Sequence, residues 1–381
     1  MKIEEFKTGH YQQEYKYKSF IPNKINQEWV WTDPKINALL SEANLNLGNL
    51  NAFSLYVPDI DVFIRMHVVK EATKSSRIEG TRTKMEEALL KDDEIQPEKK
   101  DDWKEVQNYI EAMNYSISKL ETIPVSTRML KVSHKILLQG VRGEHKTPGE
   151  FRTSQNWIGG ATITDATFVP PPHTEVNNLM NDLENFLHNE NINVPPLIRA
   201  AIGHYQFETI HPFLDGNGRI GRLLITLQMV SSGVLAKPTL YLSDYFEKHR
   251  TIYYDNLNRV REKNDLTQWI KFFLVAVIET SKIGIETFQR ILKLKEKIGN
   301  EKIVKLGKKI PKAKLLMNKL YANPILSSND VVEFLSVTPA TANSLIQDFM
   351  NLGILKEITG GRRYRLFSFE EYLTLFTKAN S

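Results

Sequence analysis

The sequence predicts a mainly α-helical protein that carries a β-hairpin flap and ends in a winged helix-turn-helix. Three observations support this fold class. Apolar residues recur at helical spacing through most of residues 59–298. Residues 140–173 are instead rich in Gly, Thr and Pro, and residues 313–367 form a pattern of three helices followed by a hairpin.

The helical pattern is clearest at residues 59–79, where Ile60, Phe63, Ile64 and Val68 recur three or four residues apart and Gly80 provides a stop. Further helices are predicted at 84–91, 103–120, 126–138, 175–189, 195–210, 218–232, 244–263 and 266–298. Residues 1–50 are polar without a clear period, and 91–102 are charged and predicted to be loop. The lysine-rich residues 299–311 are a candidate linker.

The flap is predicted from two β-prone pieces, 151–158 and 161–169, joined at Gly159-Gly160. Two adjacent glycines between such pieces indicate a tight hairpin turn. Three consecutive prolines at 170–172 then end the second strand.

The carboxy-terminal pattern begins with helices at 313–321 and 328–335, the second capped by Ser328-Asn329-Asp330. A third helix starts at Thr338-Pro339, and residues 354–358 and 363–367 form the hairpin. In a winged helix-turn-helix the third helix reads the major groove of DNA. The wing would carry three basic residues, Arg362, Arg363 and Arg365.

Composition excludes several classes of protein. The 381 residues are 41% hydrophobic and 25% charged, as in soluble globular proteins, and the length favours two or three domains. Because there is no cysteine, disulfides, zinc–thiolate sites, iron–sulfur clusters and cysteine nucleophiles are excluded. The longest apolar run, residues 272–278, is too short to span a membrane, and the polar start does not resemble a signal peptide. We expect a cytoplasmic protein with no membrane partner.

The net charge of +5 is concentrated at the carboxy terminus. Residues 301–381 contain 12 Lys/Arg and 7 Asp/Glu, which leaves 38 of each sign in residues 1–300. A basic terminal module is typical of nucleic-acid binding, although a solvated lysine-rich surface explains the same excess.

The residues with the most chemical information lie between His211 and Arg222. Gly216-Asn217-Gly218 would let the backbone approach a phosphate at the start of a helix, where free N–H groups attract anions. Arg219 and Arg222 share one helix face and could both bind phosphates. Asp215 supplies an oxygen ligand for Mg²⁺, and His211 has the pKa range of a general base.

Two other interpretations of this segment are weaker. Gly216 to Gly221 matches the dinucleotide-binding pattern G-x-G-x-x-G, but no hydrophobic strand precedes it. His204 and His211 are seven residues apart and no H-E-x-x-H is present, so a zinc hydrolase is disfavoured. His204 is more simply a packed core histidine.

The segment from His211 to Arg222 resembles the signature H-P-F-x-[D/E]-G-N-G-R-x-x-R of the Fic family at every defined position. Residues 149–173 are similar to the Fic flap region, the first 80 residues to the Fic amino-terminal domain, and residues 313–367 to the winged helix often appended to it. The resemblance implies a Fic amino-terminal domain at 1–100 with an inhibitory helix, a catalytic core at 101–300 and a winged-helix domain at 312–381.

Fic enzymes are mostly adenylyltransferases that move AMP from ATP onto a hydroxyl of a target protein. The resemblance therefore implies ATP and Mg²⁺ as cofactors, with His211 as general base and Asp215 as magnesium ligand. It also implies that Gly216, Asn217 and Gly218 form an anion hole for the α- and β-phosphates. Arg219 would contact phosphates too, and Arg222 would hold the γ-phosphate. The flap, about 157–168, would bind the target by strand addition.

A second motif, Ser75-Ser-Arg-Ile-Glu79-Gly80, resembles the Fic inhibitory motif [S/T]-x-x-x-E-[G/N]. Taken alone, Glu79 is more simply a solvated surface glutamate. Beside a Fic signature, it predicts a salt bridge from Glu79 to Arg222 that misplaces the γ-phosphate and keeps the enzyme slow.

The expected partner is a target protein with a Ser, Thr or Tyr hydroxyl, this chain included, and homodimer formation is left open. One alternative is a de-AMPylase or another phosphate-linked group transferase. A second alternative is a nucleotide-sensing regulator that binds DNA through the winged helix, which a salt-dependent gel shift would test.

Overall fold

Mainly helical elements follow an amino-terminal β-hairpin in the computed structural model, which describes residues 1–56, 60–361 and 364–377. Strands β1 (Gly9–Gln13) and β2 (Lys18–Pro22) are antiparallel and pair Gly9 with Pro22. The helices before the loop at residues 211–216 are α1 (Pro34–Tyr56), α2 (Ile60–Ile78), α3 (Met85–Ala88), α4 (Lys100–Lys119), α5 (Thr127–Leu137), α6 (His173–His188) and α7 (Pro196–Ile210). After the loop come α8 (Asn217–Ser231), α9 (Ser243–Lys248), α10 (Arg250–Lys263) and α11 (Leu266–Lys297).

The carboxy-terminal module comprises residues 310–377. Its elements are α12 (Ile310–Ala322), β3 (Ile325–Ser327), α13 (Ser328–Leu335), α14 (Pro339–Asn351), β4 (Lys356–Glu357), β5 (Leu366–Ser368) and α15 (Glu370–Thr377). The three strands form an antiparallel sheet in the order β3-β5-β4. The three predicted helices and the two hairpin strands are found in the expected order, whereas strand β3 and helix α15 were not predicted. Arg362 and Arg363 of the predicted wing lie outside the described residues.

The prediction of a mainly helical fold is confirmed, and the predicted helices are found within a few residues of their expected bounds, with one break. The helix expected over 244–263 is interrupted at His249, whose φ of −111° and ψ of 35° end α9 before α10 begins. Residue 59, the first of the helix predicted over 59–79, lies outside the described residues.

Residues 1–50 contain more regular structure than their polar composition suggests. The long helix α1 was not predicted, because asparagine and serine dilute its apolar spacing. Its buried residues nevertheless lie on one face that packs against α11; they include Ile36, Ala43, Leu47 and Leu50. Tertiary packing therefore overrides weak local preference here.

Two segments predicted as irregular contain helical turns. Residues 92–94 and 97–99 form short 3₁₀ turns that lead into α4. The candidate linker forms a π-helix at Ile298–Lys302 and 3₁₀ turns at Ile303–Lys309, with Gly307 at a positive φ of 49°. Since Ile298 and Ile303 are buried, this segment is packed onto the protein.

The flap between α5 and α6 differs from the predicted tight hairpin. A single antiparallel bridge joins Ile158 to Phe168, so the loop covers residues 159–167 and the expected turn at Gly159-Gly160 is wrong. The Asp165 carboxylate accepts hydrogen bonds from the N–H groups of Ala161 (3.0 Å) and Thr162 (2.6 Å). This side-chain cap replaces the ladder bonds that a two-residue turn would have allowed.

One connected cluster of buried apolar residues runs from Ile3 to Phe376 and includes the carboxy-terminal module. The length of the chain had favoured more than one hydrophobic core. Helices α2 and α11 instead contact both the amino-terminal helices and the carboxy-terminal module, so the core is continuous. Among the described helices, none combines the length and apolar character needed to cross a bilayer.

Candidate active site

The loop between α7 and α8 reverses the chain through two residues in the left-handed region. His211 caps the end of α7 with φ 49° and ψ 61°, and Gly216 precedes α8 with φ 74°. A methyl group on Gly216 would lie 3.1 Å from Leu137, so the position is crowded as well as left-handed. Glycine is therefore needed at residue 216, and the non-glycine residue at 211 is held by its surroundings.

Side chains within the loop brace its backbone. The amide of Asn217 accepts from the N–H of Phe213 and donates to its carbonyl, both at 2.8 Å. The Phe213 ring stacks on His134 with centroids 3.8 Å apart. His134 Nδ1 accepts from the Gly149 N–H at 2.9 Å, so its Nε2 donates to the Asp215 carbonyl at 2.9 Å. Asn217 thus supports the loop through its side chain.

Arg152 ties the flap to the catalytic loop. Its guanidinium is 2% exposed and donates to the carbonyls of His211 (3.0 Å) and Pro171 (2.5 Å). Its own N–H donates to the Pro212 carbonyl at 2.9 Å. Burial lowers the pKa of Arg152 to about 10, so the group remains charged at neutral pH. Such a buried cation, bonded to carbonyls on both sides of His211, holds the left-handed turn in place.

The imidazole of His211 is neutral at physiological pH. Burial lowers its pKa to about 3, and the nearby charges of Arg261 and Arg152 act in the same direction. Its Nδ1 is buried without a hydrogen-bond partner among the described residues, as are Arg219 Nε and Glu208 Oε1. Unpartnered buried polar atoms are uncommon, so these three atoms are free to contact a ligand that enters the site.

Arg222 is held at the opposite side of the loop by the end of α2. Its Nε donates to Ser75 Oγ at 2.8 Å, and its Nη2 donates to the Ser75 carbonyl at 3.0 Å. The same Nη2 lies 2.6 Å from Glu79 Oε1, so the salt bridge predicted between Glu79 and Arg222 is present. Burial, the largest single influence, would raise the pKa of Glu79, but the charge and hydrogen bond of Arg222 together with the other nearby cationic groups outweigh it, so the pKa is lowered.

The Glu79 carboxylate also lies against the amino terminus of α8. A methyl group on Gly218 would overlap with Glu79 Oε1, so the carboxylate rests directly on this glycine. Gly80, at φ 107°, lets the chain turn away immediately after α2. His211 and Arg219 are also near enough to lower the pKa of Glu79. This is a site built for an anion: a helix start, an arginine and a glycine surface.

Arg219 pairs with carboxylates, and its Nη2 lies 3.9 Å from Asp215 Oδ1. Its side chain is 5% exposed, and Nη1 donates to Glu105 Oε2 at 3.2 Å. Glu105 also pairs with Arg142 at 2.7 Å. The resting position of Arg219 is therefore an internal ion pair, whereas the resemblance had implied a phosphate contact.

Asp215 is the exposed carboxylate of the loop. Its side chain is 45% exposed, and Oδ1 accepts from the Gly216 N–H at 2.6 Å. Within the described residues no group of three or more histidines and carboxylates gathers as a ready-made metal site. Asp215 alone is thus the candidate metal ligand that the protein offers here.

His204 belongs to the core, as predicted. Its two ring nitrogens bond the Gly221 carbonyl and the Tyr253 hydroxyl, each at 2.9 Å, and it is 1% exposed. Burial lowers its pKa to about 3. It is a neutral link between α8 and α10 and is fully bonded, which leaves no nitrogen for a metal.

Sequence reasoning missed three supporting residues: Arg152, His134 and Glu105. Arg152 lies in the first predicted strand of the flap, where a charged residue next to Phe151 could have indicated a buried cation. His134 and Glu105 lie on helices with ordinary spacing, 81 and 114 residues from the groups that they bond. Nothing local distinguishes them, because their partners come from another part of the chain.

Two family models and several known proteins match parts of this chain. The family model described as "Fic/DOC family N-terminal" matches residues 37–118, and the model "Fic/DOC family" matches residues 124–229. A protein adenylyltransferase Fic of Aedes aegypti is 35% identical over 125 residues, which are 32% of this chain and 22% of that protein. A probable protein adenylyltransferase of Aquifex aeolicus is 41% identical over 88 residues, 23% of this chain and 26% of that protein. The chain thus spans about a quarter or less of the length of these curated relatives.

Solved structures of Fic proteins share the fold. A Fic family protein from Desulfovibrio desulfuricans superposes with a TM-score of 0.56 at 21% identity, covering 90% of this chain and 98% of the other. A fragment of Fic-1 from Caenorhabditis elegans gives a TM-score of 0.51 at 22% identity, covering 69% and 75%. Two segments of the chain therefore match Fic/DOC family models, and the chain shares the helical fold of these Fic proteins.

Proposed function

We propose that this protein is an adenylyltransferase that transfers AMP from ATP to a hydroxyl side chain of a target protein, and that Glu79 keeps it slow at rest. The names of the curated relatives support the reaction class. The proposed base is His211, the proposed magnesium ligand is Asp215, and Gly216, Asn217 and Gly218 with Arg222 form the proposed phosphate site.

The main support for the proposal is that a carboxylate, that of Glu79, already occupies the proposed phosphate site. The Glu79 carboxylate contacts Gly218 and is 2.6 Å from Arg222 Nη2. A site that holds a carboxylate on a helix start and a guanidinium has the donors that a phosphate oxygen requires. Occupation by Glu79 and occupation by the end of a triphosphate are mutually exclusive, which is the proposed inhibition.

The transfer step needs a base and a positioned α-phosphorus. The hydroxyl oxygen of the target attacks the α-phosphorus while the bond to the bridging oxygen breaks and pyrophosphate leaves. His211 accepts the hydroxyl proton, and its neutral state at pH 7 suits it to do so. The negative triphosphate would also raise the pKa of His211 from its low resting value, which strengthens the base.

Asp215 fits Mg²⁺ as a single exposed carboxylate at the mouth of the phosphate site. Magnesium is commonly held by one or two carboxylates together with phosphate oxygens and water. Bound there, the ion would neutralise charge on the triphosphate. Since Asp215 is 45% exposed, it can ligate the ion without a rearrangement of the loop.

The flap is the proposed target-binding edge. Trp157 is 42% exposed, and one bridge between Ile158 and Phe168 leaves most of the flap backbone without ladder partners. An extended segment of a target, or of this chain, could add to such a backbone. This mode recognises main chain more than side chains, so it names no target.

DNA binding by residues 312–377 is the second candidate, and the order of elements in the carboxy-terminal module motivates it. The exposed face of α14 is polar, with Asn343, Ser344 and Gln347, but the helix contains neither Lys nor Arg. Phosphate contacts usually come from such cations. The structure therefore supports DNA binding less well than adenylyl transfer. A gel shift with duplex DNA that weakens as salt is added would favour DNA binding.

The test is the intact mass of the Glu79→Gly variant after incubation with ATP and Mg²⁺. We expect a gain of one or more adenylyl groups that the unaltered chain acquires much more slowly. The matched control is Glu79→Gly with His211→Ala, which should bind ATP but gain no mass. No gain in either protein, with ATP bound, would reject the transferase. Removal of AMP from a modified protein by the same variant would favour the reverse reaction.

A further inference from the structure

We infer that the carboxy-terminal module acts as an internal clamp that holds the inhibitory helix α2, and with it Glu79, in the inhibiting position. The inference rests on the proposed function and concerns its regulation. It comes from contacts at the end of α2 that is remote from the catalytic loop.

The contact is aromatic and buried. Phe63 of α2 is 1% exposed and meets Tyr321 of α12 edge-on, with ring centroids 6.1 Å apart. One turn later, the His67 ring lies edge-on to Phe376 of α15 at 5.1 Å. The other side of His67 stacks on Phe288 of α11 at 5.1 Å. The module therefore touches α2 through two of its helices.

The opposite end of α2 carries the inhibitory contacts. Ser75 and Glu79 bond Arg222, and Lys74 pairs with Asp244 (2.9 Å) and Glu247 (3.1 Å) of α9. Phe63 and Glu79 are 16 positions apart, which is about 24 Å along a helix. A helix held at both ends transmits a shift at one end to the other, because its backbone bonds resist bending within the span.

The two ends of α2 are held by different kinds of contact. The Glu79 end is a third exposed and ionic, so it can separate into water. The Phe63 end is dry and part of the common core. Loss of the dry contact would free α2 to move and lower the population in which Glu79 covers Gly218. Any ligand that displaced the module from α2 would then activate the enzyme.

The Phe376→Ala variant tests the clamp in the full chain. An aromatic pair contributes about 0.5–1.5 kcal/mol, so we expect adenylyl transfer to rise about 2- to 12-fold. In a Glu79→Gly background the same substitution should give no further rise, because there is no inhibition left to relieve. Amide exchange across residues 60–78 should also accelerate in Phe376→Ala.

The matched control is Phe349→Ala on α14, which removes an equally buried ring of the same module. Among the described residues, Phe349 has no ring contact with α2, and its loss should leave transfer unchanged. If Phe376→Ala does not fold, His67→Ala removes the contact from the α2 side and should give the same rise.

Three results would overturn the clamp. Transfer that responds equally to Phe376→Ala and Phe349→Ala would indicate general loosening. A rise with Glu79→Gly but none with Phe376→Ala or His67→Ala would reject the clamp and leave the proposed function standing. An inactive Glu79→Gly variant would instead reject the proposed function, and the clamp would fall with it as a regulator.

Discussion

Under the proposed function, the strength of the contact between Glu79 and Arg222 sets how far adenylyl transfer can be activated by a single substitution. Arg222 is 2% exposed, and of its three bonds to α2 two go to Ser75 and one to Glu79. Replacing Glu79 removes only the bond that competes with a phosphate. Glu79→Gly removes charge and volume together, whereas Glu79→Gln keeps the volume and one acceptor oxygen.

A hydrogen bond to a charged group contributes about 1.5–3 kcal/mol. At about 1.4 kcal/mol per factor of ten, this converts to about 10- to 150-fold. Because Glu79 is a third exposed, solvent screening favours the lower half of this range. We therefore expect about 10- to 50-fold faster transfer for Glu79→Gly and an intermediate rate for Glu79→Gln.

Stability should change in the opposite direction. Removing one member of a buried ion pair costs about 3–5 kcal/mol when the other is left without partners. Arg222 keeps both bonds to Ser75, so we expect a smaller loss, about 1–3 kcal/mol, by urea unfolding. Saturating ATP should recover more stability in Glu79→Gly than in the unaltered chain, since the nucleotide no longer competes with a carboxylate.

The assay is incorporation of labelled AMP at fixed enzyme and ATP concentrations, with circular dichroism to verify the fold. Rates within twofold of the unaltered chain for both Glu79 variants would refute the reasoning. Equal activation by Gln and Gly would show that charge, and not volume, maintains the inhibition.

Two further predictions concern the support of the site and its response to acid. Arg152→Gln should lower kcat by loosening His211 while ATP affinity, measured by titration calorimetry, stays within about threefold because Arg222 is untouched; an equal loss of affinity would count against a positioning role. Burial lowers the pKa of four histidines to about 3 or 4 and raises the pKa of two glutamates to about 7; these are His67, His134, His204 and His211, with Glu71 and Glu208. Near pH 5 to 5.5 the unfolded chain therefore binds about four protons on these groups and the folded chain about two, so the free energy of unfolding should fall there by about 2.7 kcal/mol per pH unit on acidification. His67→Phe should reduce that slope by about 1.4 kcal/mol per unit in urea unfolding, and a flat profile would contradict the assignment.

The comparison of sequence and structure separates local from distant information. The motif from His211 to Arg222 could be recognised from the sequence because its chemical groups lie within twelve residues. Most helix ends could also be predicted, since capping residues such as Ser126 and Gly80 begin or end a helix within one turn. Helix α1 could not be predicted, because its packing on α11 stabilises it. The flap register could not be predicted either, because the Asp165 cap sets it.

The sequence by itself determined the helical class of the protein, its resemblance to the Fic family and the residues proposed to bind a phosphate. Only the tertiary structure decided that Arg219 pairs with Glu105 inside the protein, that Arg152 braces the left-handed turn at His211, and that the carboxy-terminal module rests on α2. The reason is physical. Helix propensities, caps and glycine turns act over a few residues. Buried charges and aromatic rings instead need partners inside the protein, and those partners come from segments far away in the sequence.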